Sequence, residues 1–264
     1  MNRRQFLASI CSIAVAGTVS ALPNVWQYGS LLLSPPKKGG VAITLDDKNV
    51  DEWYSIRPLL NKYDAKATFF VSNLKKLTND EVAKLLELRN EGHEIGVHGL
   101  EHLSVEEFLK TGGTVEEYVD REIKPAIDFM TKKGFKPNSF AYPGGSNTPA
   151  SDEAILPLFS GPLRDTAYTE PDKRAKSLNK VYFDWDNPSK LIYGLGIDEN
   201  YGNTIDELKD GLRRAFDERK VLVLYAHKPT EEPGKYHLPL HKLEVILQTT
   251  KDLGLTFYRA SDLR

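Results

Sequence analysis

The chain has 264 residues, of which 40% are hydrophobic and 27% are charged, and its formal net charge is −2 at pH 7. This composition is typical of a globular protein, and the length fits one α/β barrel or two small domains. The near-neutral balance of charge argues against nucleic acid or another polyanion as a partner. Beyond the N-terminus, no apolar run approaches the length of a membrane span, so none is expected in the mature chain.

Residues 1–21 have the pattern of an export signal. Arg3 and Arg4 precede an apolar stretch that ends at about Ala21, where small residues are suitable for cleavage. The Arg-Arg-x-Phe-Leu pattern is similar to a twin-arginine signal, and an uncut membrane anchor is the alternative. The single cysteine, Cys11, lies inside this segment, so a cleaved chain would have neither a disulfide nor a thiolate metal ligand. The prediction is export to the periplasm or the medium.

Residues 22–38 are predicted to be a linker, because Pro, Ser and Gly interrupt their short apolar pieces. From residue 39 to residue 264, strand and helix patterns alternate six or seven times without an internal repeat. This alternation predicts one parallel α/β domain, most simply a barrel, with an open doubly wound sheet as the alternative. No glycine-rich nucleotide motif follows any strand, so nucleotide binding has no support.

The elements are predicted from apolar periodicity and from helix caps. Thr78, Thr114 and Thr204 each precede a glutamate by three residues and are expected to begin helices with capping boxes. Pro125 is expected to kink the second of these helices. The predicted strands are 41–47, 67–71, 94–97, 139–142, 165–168, 181–183, 191–197, 221–226 and 255–258. The other predicted helices are 51–63, 152–159 and 239–253.

The first strand ends on two adjacent carboxylates, Asp46 and Asp47. A barrel of strand–helix units collects its active residues where the strands end. Two ionised carboxylates in an apolar pocket repel each other, and a divalent cation on one of them removes that penalty. The pattern therefore predicts a metal ion bound by Asp47, with Asp46 left free to act as a base.

The third strand leads to His98, and His102 follows four residues later. On a helical turn this spacing puts both imidazoles on one face, where they can share a cation with Asp47. Three protein ligands leave open coordination positions, as in catalytic metal sites. A second pair with this spacing, His237 and His241, has a proline between its members and no strand end or carboxylate pair before it, which argues against a second site.

His227 follows the strand 221–226 and is predicted to be the acid that protonates the leaving amine or alcohol. A partly buried histidine without a chemical role is the alternative. Asp198, at the end of the preceding strand, is a candidate to orient His227. A simple turn or cap role for Asp198 is equally consistent, and Asp184 and Asp186 compete for the orienting role.

The Pro143-Gly144-Gly145 turn presents unhindered backbone. The Gly144 amide is therefore a candidate donor to a developing oxyanion, and a turn without a chemical role is the alternative.

Taken in order, these motifs resemble carbohydrate esterase family 4, the polysaccharide deacetylase or NodB-homology family, from about Val41 to the C-terminus. The matching segments are Thr44–Asp47, His98 with His102, Ala141–Gly145, Asp198 and Tyr225–His227. The resemblance implies a distorted (β/α)7-type barrel and one divalent ion, zinc or else Co²⁺, Ni²⁺ or Mn²⁺. It implies removal of acetyl groups from an N-acetylated or O-acetylated glycan. It assigns Asp46 as base, Asp47, His98 and His102 as metal ligands, the Gly144 amide to the oxyanion, and His227 as acid.

Three positions depart from the family pattern. Ala141 stands where the family has an arginine that pairs with the base, so the base needs another partner, and Arg164 and Lys228 are candidates. Tyr225 replaces a leucine that lines the acetyl-methyl pocket, which suggests a smaller or more polar pocket. Lys228 replaces the acidic residue that often follows the catalytic histidine.

The predicted substrate contacts are Pro143, Tyr142 and Tyr225. Aromatic rings stack on sugars, and core packing explains Trp53 at least as well as stacking does. Further candidates for stacking are Trp53, Tyr168 and Trp185. The missing arginine leaves open a glycan-binding or assembly protein with a degenerate site, and a related amidohydrolase acting on a small cyclic amide is a further alternative. A two-metal phosphoesterase is disfavoured, because it needs more clustered ligands.

Overall fold

The computed structural model describes residues 37–167 and 174–264. They belong to one compact unit, Lys37–Arg264. The predicted signal 1–21, nearly all of the predicted linker and Tyr168 lie outside the described residues. The described strands are β1 (Gly40–Asp47), β2 (Thr68–Val71), β3 (Glu94–Val97), β4 (Phe140–Ala141), β5 (Leu163–Thr166), β6 (Tyr182–Phe183), β7 (Leu191–Gly196), β8 (Val221–Ala226), β9 (Lys228–Thr230), β10 (His237–Pro239) and β11 (Thr256–Tyr258).

The main sheet closes on itself. In the described chain, β1, β2, β3, β4, β5, β7 and β8 are hydrogen-bonded in that order, and β8 returns to pair with β1. All of these pairings are parallel. The result is a seven-stranded parallel barrel, which confirms the predicted fold class and excludes the open sheet.

Two additional strands make the barrel irregular. β11 runs parallel to the first part of β1, and β6 runs antiparallel to the start of β8. A separate parallel pair, β9 with β10, follows the barrel strand β8. Because the seven barrel strands are parallel, their carboxyl ends, including Asp47 on β1, meet at one end of the barrel.

The helices cover the outside of the barrel. Their buried faces belong to the same apolar cluster as the strands, as for α8, whose Leu208, Leu212 and Ala215 are buried near β1 and β8. The described α-helices are α1 (Val50–Ser55), α2 (Arg57–Lys62), α3 (Asn79–Asn90), α4 (Val105–Lys110), α5 (Val115–Tyr118), α6 (Lys124–Lys132), α7 (Pro149–Ile155), α8 (Ile205–Glu218) and α9 (Leu240–Asp252). None of the helices formed by the described residues has the length and apolar character needed to cross a membrane.

The local signals in the sequence mark element starts well. All three predicted capping boxes form, at Thr78, Thr114 and Thr204. The helix predicted around Pro125 is interrupted by a π-helical turn, Val119–Ile123, and Pro125 lies in the first turn of the helix that follows, where proline is tolerated. No pattern in the sequence predicts α4, β9 or β10, which are six residues long or shorter.

Candidate active site

The carboxyl end of the barrel contains a cavity of about 360 Å³. Residues from the ends of β1, β3 and β8 line it, together with the turns after β4 and β7. Of the ten predicted site residues, eight border this cavity: Asp46, Asp47, His98, His102, Tyr142, Gly144, Tyr225 and His227. The strand ends therefore bring together segments that are far apart in the sequence, as expected for a barrel.

Asp47, His98 and His102 form a cluster suited to a metal ion. Their ligand atoms all lie within 4.8 Å of one another. The Nε2 atoms of His98 and His102 are 3.6 Å and 3.1 Å from Asp47 Oδ1. His98 Nδ1 lies 2.9 Å from the Ala141 carbonyl oxygen, so this nitrogen donates its proton there and Nε2 keeps its lone pair for a cation.

The electrostatics of the cluster favour a bound cation. Burial opposes the charge on Asp47, but its hydrogen bonds with His102 and His98 outweigh burial and hold the pKa of Asp47 well below its usual range. The hydrogen bond to Asp47 raises the pKa of His102, against the effect of burial. A divalent ion can replace the shared protons, because the three donors are those that zinc and similar ions bind.

The segment that carries the two histidines is a loop, and the expected helical turn is absent. Residues 98–102 contain left-handed conformations at Gly99, with φ 78°, and at His102, with φ 68°. A carboxylate from the π-helical turn holds this loop. Glu122 is fully buried, and its Oε2 accepts hydrogen bonds from the backbone N–H groups of Glu101 at 3.0 Å and Leu103 at 3.4 Å.

Asp46 is paired with Arg164 inside the barrel. The Arg164 guanidinium donates to Asp46 Oδ2, and the two side chains are 0% and 4% exposed. Arg164 lies beside Ala141 in the β4–β5 register, so it supplies a guanidinium from the neighbouring strand. Of the two candidates for this role, Arg164 takes it, whereas Lys228 pairs with Glu52 instead.

His227 is held by Asp198. Asp198 Oδ2 lies 2.6 Å from His227 Nδ1, and Asp198 Oδ1 accepts the backbone N–H of His227 at 3.1 Å. Burial by itself lowers the pKa of His227, but the bond to Asp198 and the nearby carboxylates of Asp46 and Asp47 outweigh it and raise the pKa. Asp184, a competitor for this role, pairs with Lys220.

The predicted substrate contacts have different environments. Gly144 lines the cavity with φ 69°, a left-handed value that favours glycine. Tyr225 also lines it, and burial raises the pKa of its hydroxyl. Tyr142 is only 1% exposed and donates its hydroxyl to Asp152, so it offers no open face for stacking. Pro143 is buried beside Gly99 and is not among the residues that line the cavity.

Two further aromatic candidates, Trp53 and Trp185, are not among the residues that line the cavity. Trp53 is fully buried and donates its indole N–H to the His227 carbonyl oxygen, so it supports the site from behind. Trp185 packs against Tyr258 and donates to the Lys38 carbonyl oxygen, near the amino end of β1.

Three lining residues were missed from the sequence: Tyr201, Tyr236 and Thr166. The Tyr236 ring is 4.8 Å from the His227 ring and is 40% exposed. Tyr201 follows the candidate residue Asp198 by three positions, and this proximity could have indicated that Tyr201 lies near the site. Tyr236 lies between β9 and β10, in a stretch without periodicity, and no local pattern marks it.

Comparison with known proteins agrees with this geometry. Residues 34–156 match the family model of polysaccharide deacetylases. This part of the chain is similar to the polysaccharide deacetylase family. Over 107 residues, this chain is 33% identical to a peptidoglycan-N-acetylglucosamine deacetylase of Bacillus cereus, an alignment that covers 40% of this chain and 46% of the relative. It is 35% identical over 92 residues to the uncharacterized protein YlxY of Bacillus subtilis, covering 34% of this chain and 26% of that protein. The chain thus matches less than half the length of each relative.

Solved structures share the fold of this chain. A Streptococcus mutans CE4 esterase has a TM-score of 0.56 and 18% identity, with 84% of this chain and 87% of that chain covered. A family 4 acetyl xylan esterase from Clostridium thermocellum, in complex with a cobalt ion, has a TM-score of 0.55 and 19% identity, with 84% and 89% covered. At these identities the likeness establishes the barrel fold.

Proposed function

We propose that this protein is an exported, metal-dependent deacetylase that hydrolyses acetyl groups of a glycan, N-acetylated rather than O-acetylated. The observation that carries the proposal is the convergence of three groups on one cavity: the Asp47–His98–His102 cluster, the Asp46–Arg164 pair and the His227–Asp198 pair. The match of residues 34–156 to the family model of polysaccharide deacetylases supports it. The name of the Bacillus cereus relative favours N-acetylglucosamine units as the substrate.

One divalent ion, zinc by preference, fits the donor set of one carboxylate and two imidazoles. When bound there, such an ion would polarise the acetyl carbonyl and make a neighbouring water more acidic. Asp47, His98 and His102 are the residues that would hold it. His98 is oriented for this role by the Ala141 carbonyl oxygen, a second contact of the kind that raises metal affinity.

The two proton-transfer roles are assigned from the pairing partners. Asp46 accepts the proton of the attacking water, and Arg164 holds its carboxylate in place. His227 donates a proton to the departing amine, because its Nδ1 is committed to Asp198 and its Nε2 is left for the substrate. We assign the Gly144 backbone amide as the donor to the developing oxyanion, because Gly144 lines the cavity.

This arrangement removes the reason for considering a glycan-binding or assembly protein with a degenerate site. It rested on the arginine missing at position 141, and Arg164 supplies a guanidinium to Asp46 from the adjacent strand. The proposal of export rests only on the pattern of residues 1–21, and secretion assays with Arg3 and Arg4 replaced by lysine would test that part.

Replacing the base tests the function directly. Asp46→Asn in the zinc-loaded protein should reduce acetate release from N-acetylglucosamine oligomers by about a hundredfold to ten-thousandfold, because the amide does not accept the proton. Zinc content, measured by elemental analysis, should stay at one ion per chain, since Asp46 is not a ligand. Asp51→Asn, on the exposed surface of α1, is the matched control. Turnover in Asp46→Asn equal to that of the wild type would refute the assignment.

A further inference from the structure

A separate cavity, of about 330 Å³, lies at the amino end of the barrel. Its lining includes residues 93–95, at the start of β3, and Lys136 and Asn138, which precede β4. The amino ends of parallel strands lie opposite their carboxyl ends, so this cavity is at the other end of the barrel from Asp47. Among the described residues, none lines both this cavity and the catalytic one. Its volume is at the lower end of the range for sites that bind small organic molecules.

One buried hydrogen-bond donor of this lining has no acceptor. His93 is 2% exposed, and its Nδ1 accepts the backbone N–H of Ala67 at 3.1 Å. Burial lowers the pKa of His93 to about 4, so the ring is neutral at pH 7 and carries its proton on Nε2. This N–H group has no partner in the part of the chain that the structure describes. Because a buried donor without an acceptor is costly, a ligand that supplies an acceptor oxygen gains free energy there.

The charges of the lining favour an anion. Arg89, Lys136 and Arg259 are positive, and Glu94 is the only acidic residue among the described residues of the lining, which leaves a net charge of +2. The whole chain has a formal net charge of −2, so this positive charge is a local feature. A concave site lined by charges of one sign concentrates ligands of the opposite sign.

Glu94 is already satisfied by neutral donors. Its Oε1 accepts the Ser139 hydroxyl at 2.7 Å, and its Oε2 accepts the Thr68 hydroxyl at 3.0 Å and the backbone N–H of Ser261 at 2.9 Å. Among the described residues it forms no ion pair with the cations of the lining. Those cations are therefore left for a ligand.

Both arginines are held in position by the protein itself. Arg89 Nη1 donates to the Gly134 carbonyl oxygen at 2.6 Å, and its guanidinium carbon lies 5.9 Å from the centre of the Phe135 ring. Arg259 donates to the carboxylate of Asp262 from Nε at 3.1 Å and from Nη2 at 2.7 Å. Side chains that are already ordered lose less conformational entropy when a ligand binds.

We propose that this amino-end cavity binds a small organic molecule through a phosphate group. The lining offers guanidinium, ammonium, imidazole, amide and hydroxyl donors, and a phosphate has more oxygens to use them than a carboxylate has. The cavity is larger than a phosphate ion, which leaves room for the organic part. The site is independent of the proposed function, because none of the residues assigned to the reaction lines it.

Calorimetry at constant ionic strength tests the proposal with inorganic phosphate and with glycerol 3-phosphate, a small phosphate monoester. It is carried out on the zinc-loaded protein and on His102→Ala, which lacks a ligand of the proposed zinc site and so reports binding without that ion. One site per chain should remain in His102→Ala, and glycerol 3-phosphate should bind there at least as tightly as phosphate. Acetate should bind at least about tenfold more weakly. No saturable binding of either phosphate compound, or acetate binding as tight as that of phosphate, would overturn the proposal.

Charge-removing variants in the same background locate the binding. Arg89→Gln should weaken phosphate binding by about tenfold, and Lys136→Gln, at an exposed residue, by about twofold to fivefold. Arg259 is a poorer target, because Asp262 neutralises part of its charge. Lys133→Gln removes an exposed charge outside the lining and is the matched control, with unchanged affinity expected. An equal loss in Lys133→Gln and Lys136→Gln would show general attraction of anions and would overturn the site, even where Arg89→Gln does not fold.

The His93 ring provides a direct readout. Proton–nitrogen correlation spectra of the imidazoles should show His93 protonated on Nε2 in the free protein. Phosphate should shift this Nε2 signal more than the signals of the other histidines, and His93→Gln identifies the signal by its absence. A His93 signal that does not move at saturating phosphate would overturn the site.

Discussion

In the proposed mechanism, the two proton-transferring residues are each oriented by one neighbouring side chain. Arg164 fixes Asp46, and Asp198 fixes His227, and each partner is fully buried. A buried charge is tolerated only when it is paired, so removing one member of either pair should destabilise the folded protein. The two pairs act differently, because Arg164 holds the Asp46 carboxylate in place, whereas Asp198 also raises the pKa of the His227 imidazole.

Arg164→Ala should reduce kcat by about a hundredfold or more, because Asp46 loses the guanidinium that holds it as a base. The variant should also be less stable by about 3–5 kcal/mol, since a buried carboxylate is left unpaired. Acetate release and chemical denaturation measure the two effects. The double variant Ala141→Arg with Arg164→Ala returns the guanidinium to the adjacent strand and should recover part of kcat. A single variant with wild-type kcat would contradict the pairing.

Asp198→Asn should change the pH profile of the reaction. The bond to Asp198 helps to raise the pKa of His227, so the protonated acid persists to higher pH in the wild type. Without that charge the pKa falls, and activity should be lost at lower pH on the alkaline side. The pH dependence of kcat measures this. Asp184→Asn, remote from the cavity, is the control, and an alkaline limb at the same pH in Asp198→Asn as in the wild type would count against the role.

At the scale of elements, a π-helical turn supports the loop that carries His98 and His102. The π-helical turn Val119–Ile123 directs Glu122 onto the loop 98–102, whose backbone it holds in a conformation with left-handed residues. The Tyr118 hydroxyl donates to the Leu103 carbonyl oxygen at 2.9 Å, which is a second hydrogen bond between this helical region and the end of the loop. π-Helical turns often occur at functional sites, and here the turn has a defined contact.

Glu122→Ala should weaken zinc binding by about tenfold to a hundredfold, because His102 is no longer held in position for the ion. A competition titration with a zinc chelator measures the affinity. Glu122→Gln keeps an oxygen that accepts the loop N–H groups and should retain most of the affinity. Glu101→Gln, which alters an exposed carboxylate in the same loop, is the control. An unchanged affinity in Glu122→Ala would show that the loop holds its shape alone.

At the scale of the molecule, the Asp47–His98–His102 cluster joins two barrel strands. Asp47 ends β1 and His98 follows β3, so a bound ion would link the first and third strands of the ring at their carboxyl ends. A ligand that binds only the folded state stabilises it by mass action. The ion should therefore act on global stability as well as on the reaction.

Zinc at a hundred times its dissociation constant should raise the free energy of unfolding by about 2.7 kcal/mol. For a domain of this size the melting temperature should rise by about 5–10 °C, and a chelator should reverse the rise. Differential scanning calorimetry measures it. His102→Ala should abolish the dependence, and the same rise in that variant would refute the ligand set.

The sequence alone determined the barrel and most of the cavity. Its strands are continuous apolar runs and its helices begin at capping boxes, and both signals are local. The chemistry also had a local marker, since Asp46, Asp47, His98 and His227 each end or follow a strand. Because parallel strands deliver their ends to one place, a pattern along the chain was enough to predict a site in space.

Only the tertiary structure decided how those residues are held. Arg164 was one of two candidates in the sequence, and the β4–β5 register selects it by placing it beside Ala141. Glu122 and Tyr236 carry no pattern, because their roles depend on contacts between segments distant in sequence or on an irregular backbone. Packing of one segment against another fixes such roles, and no local propensity encodes it.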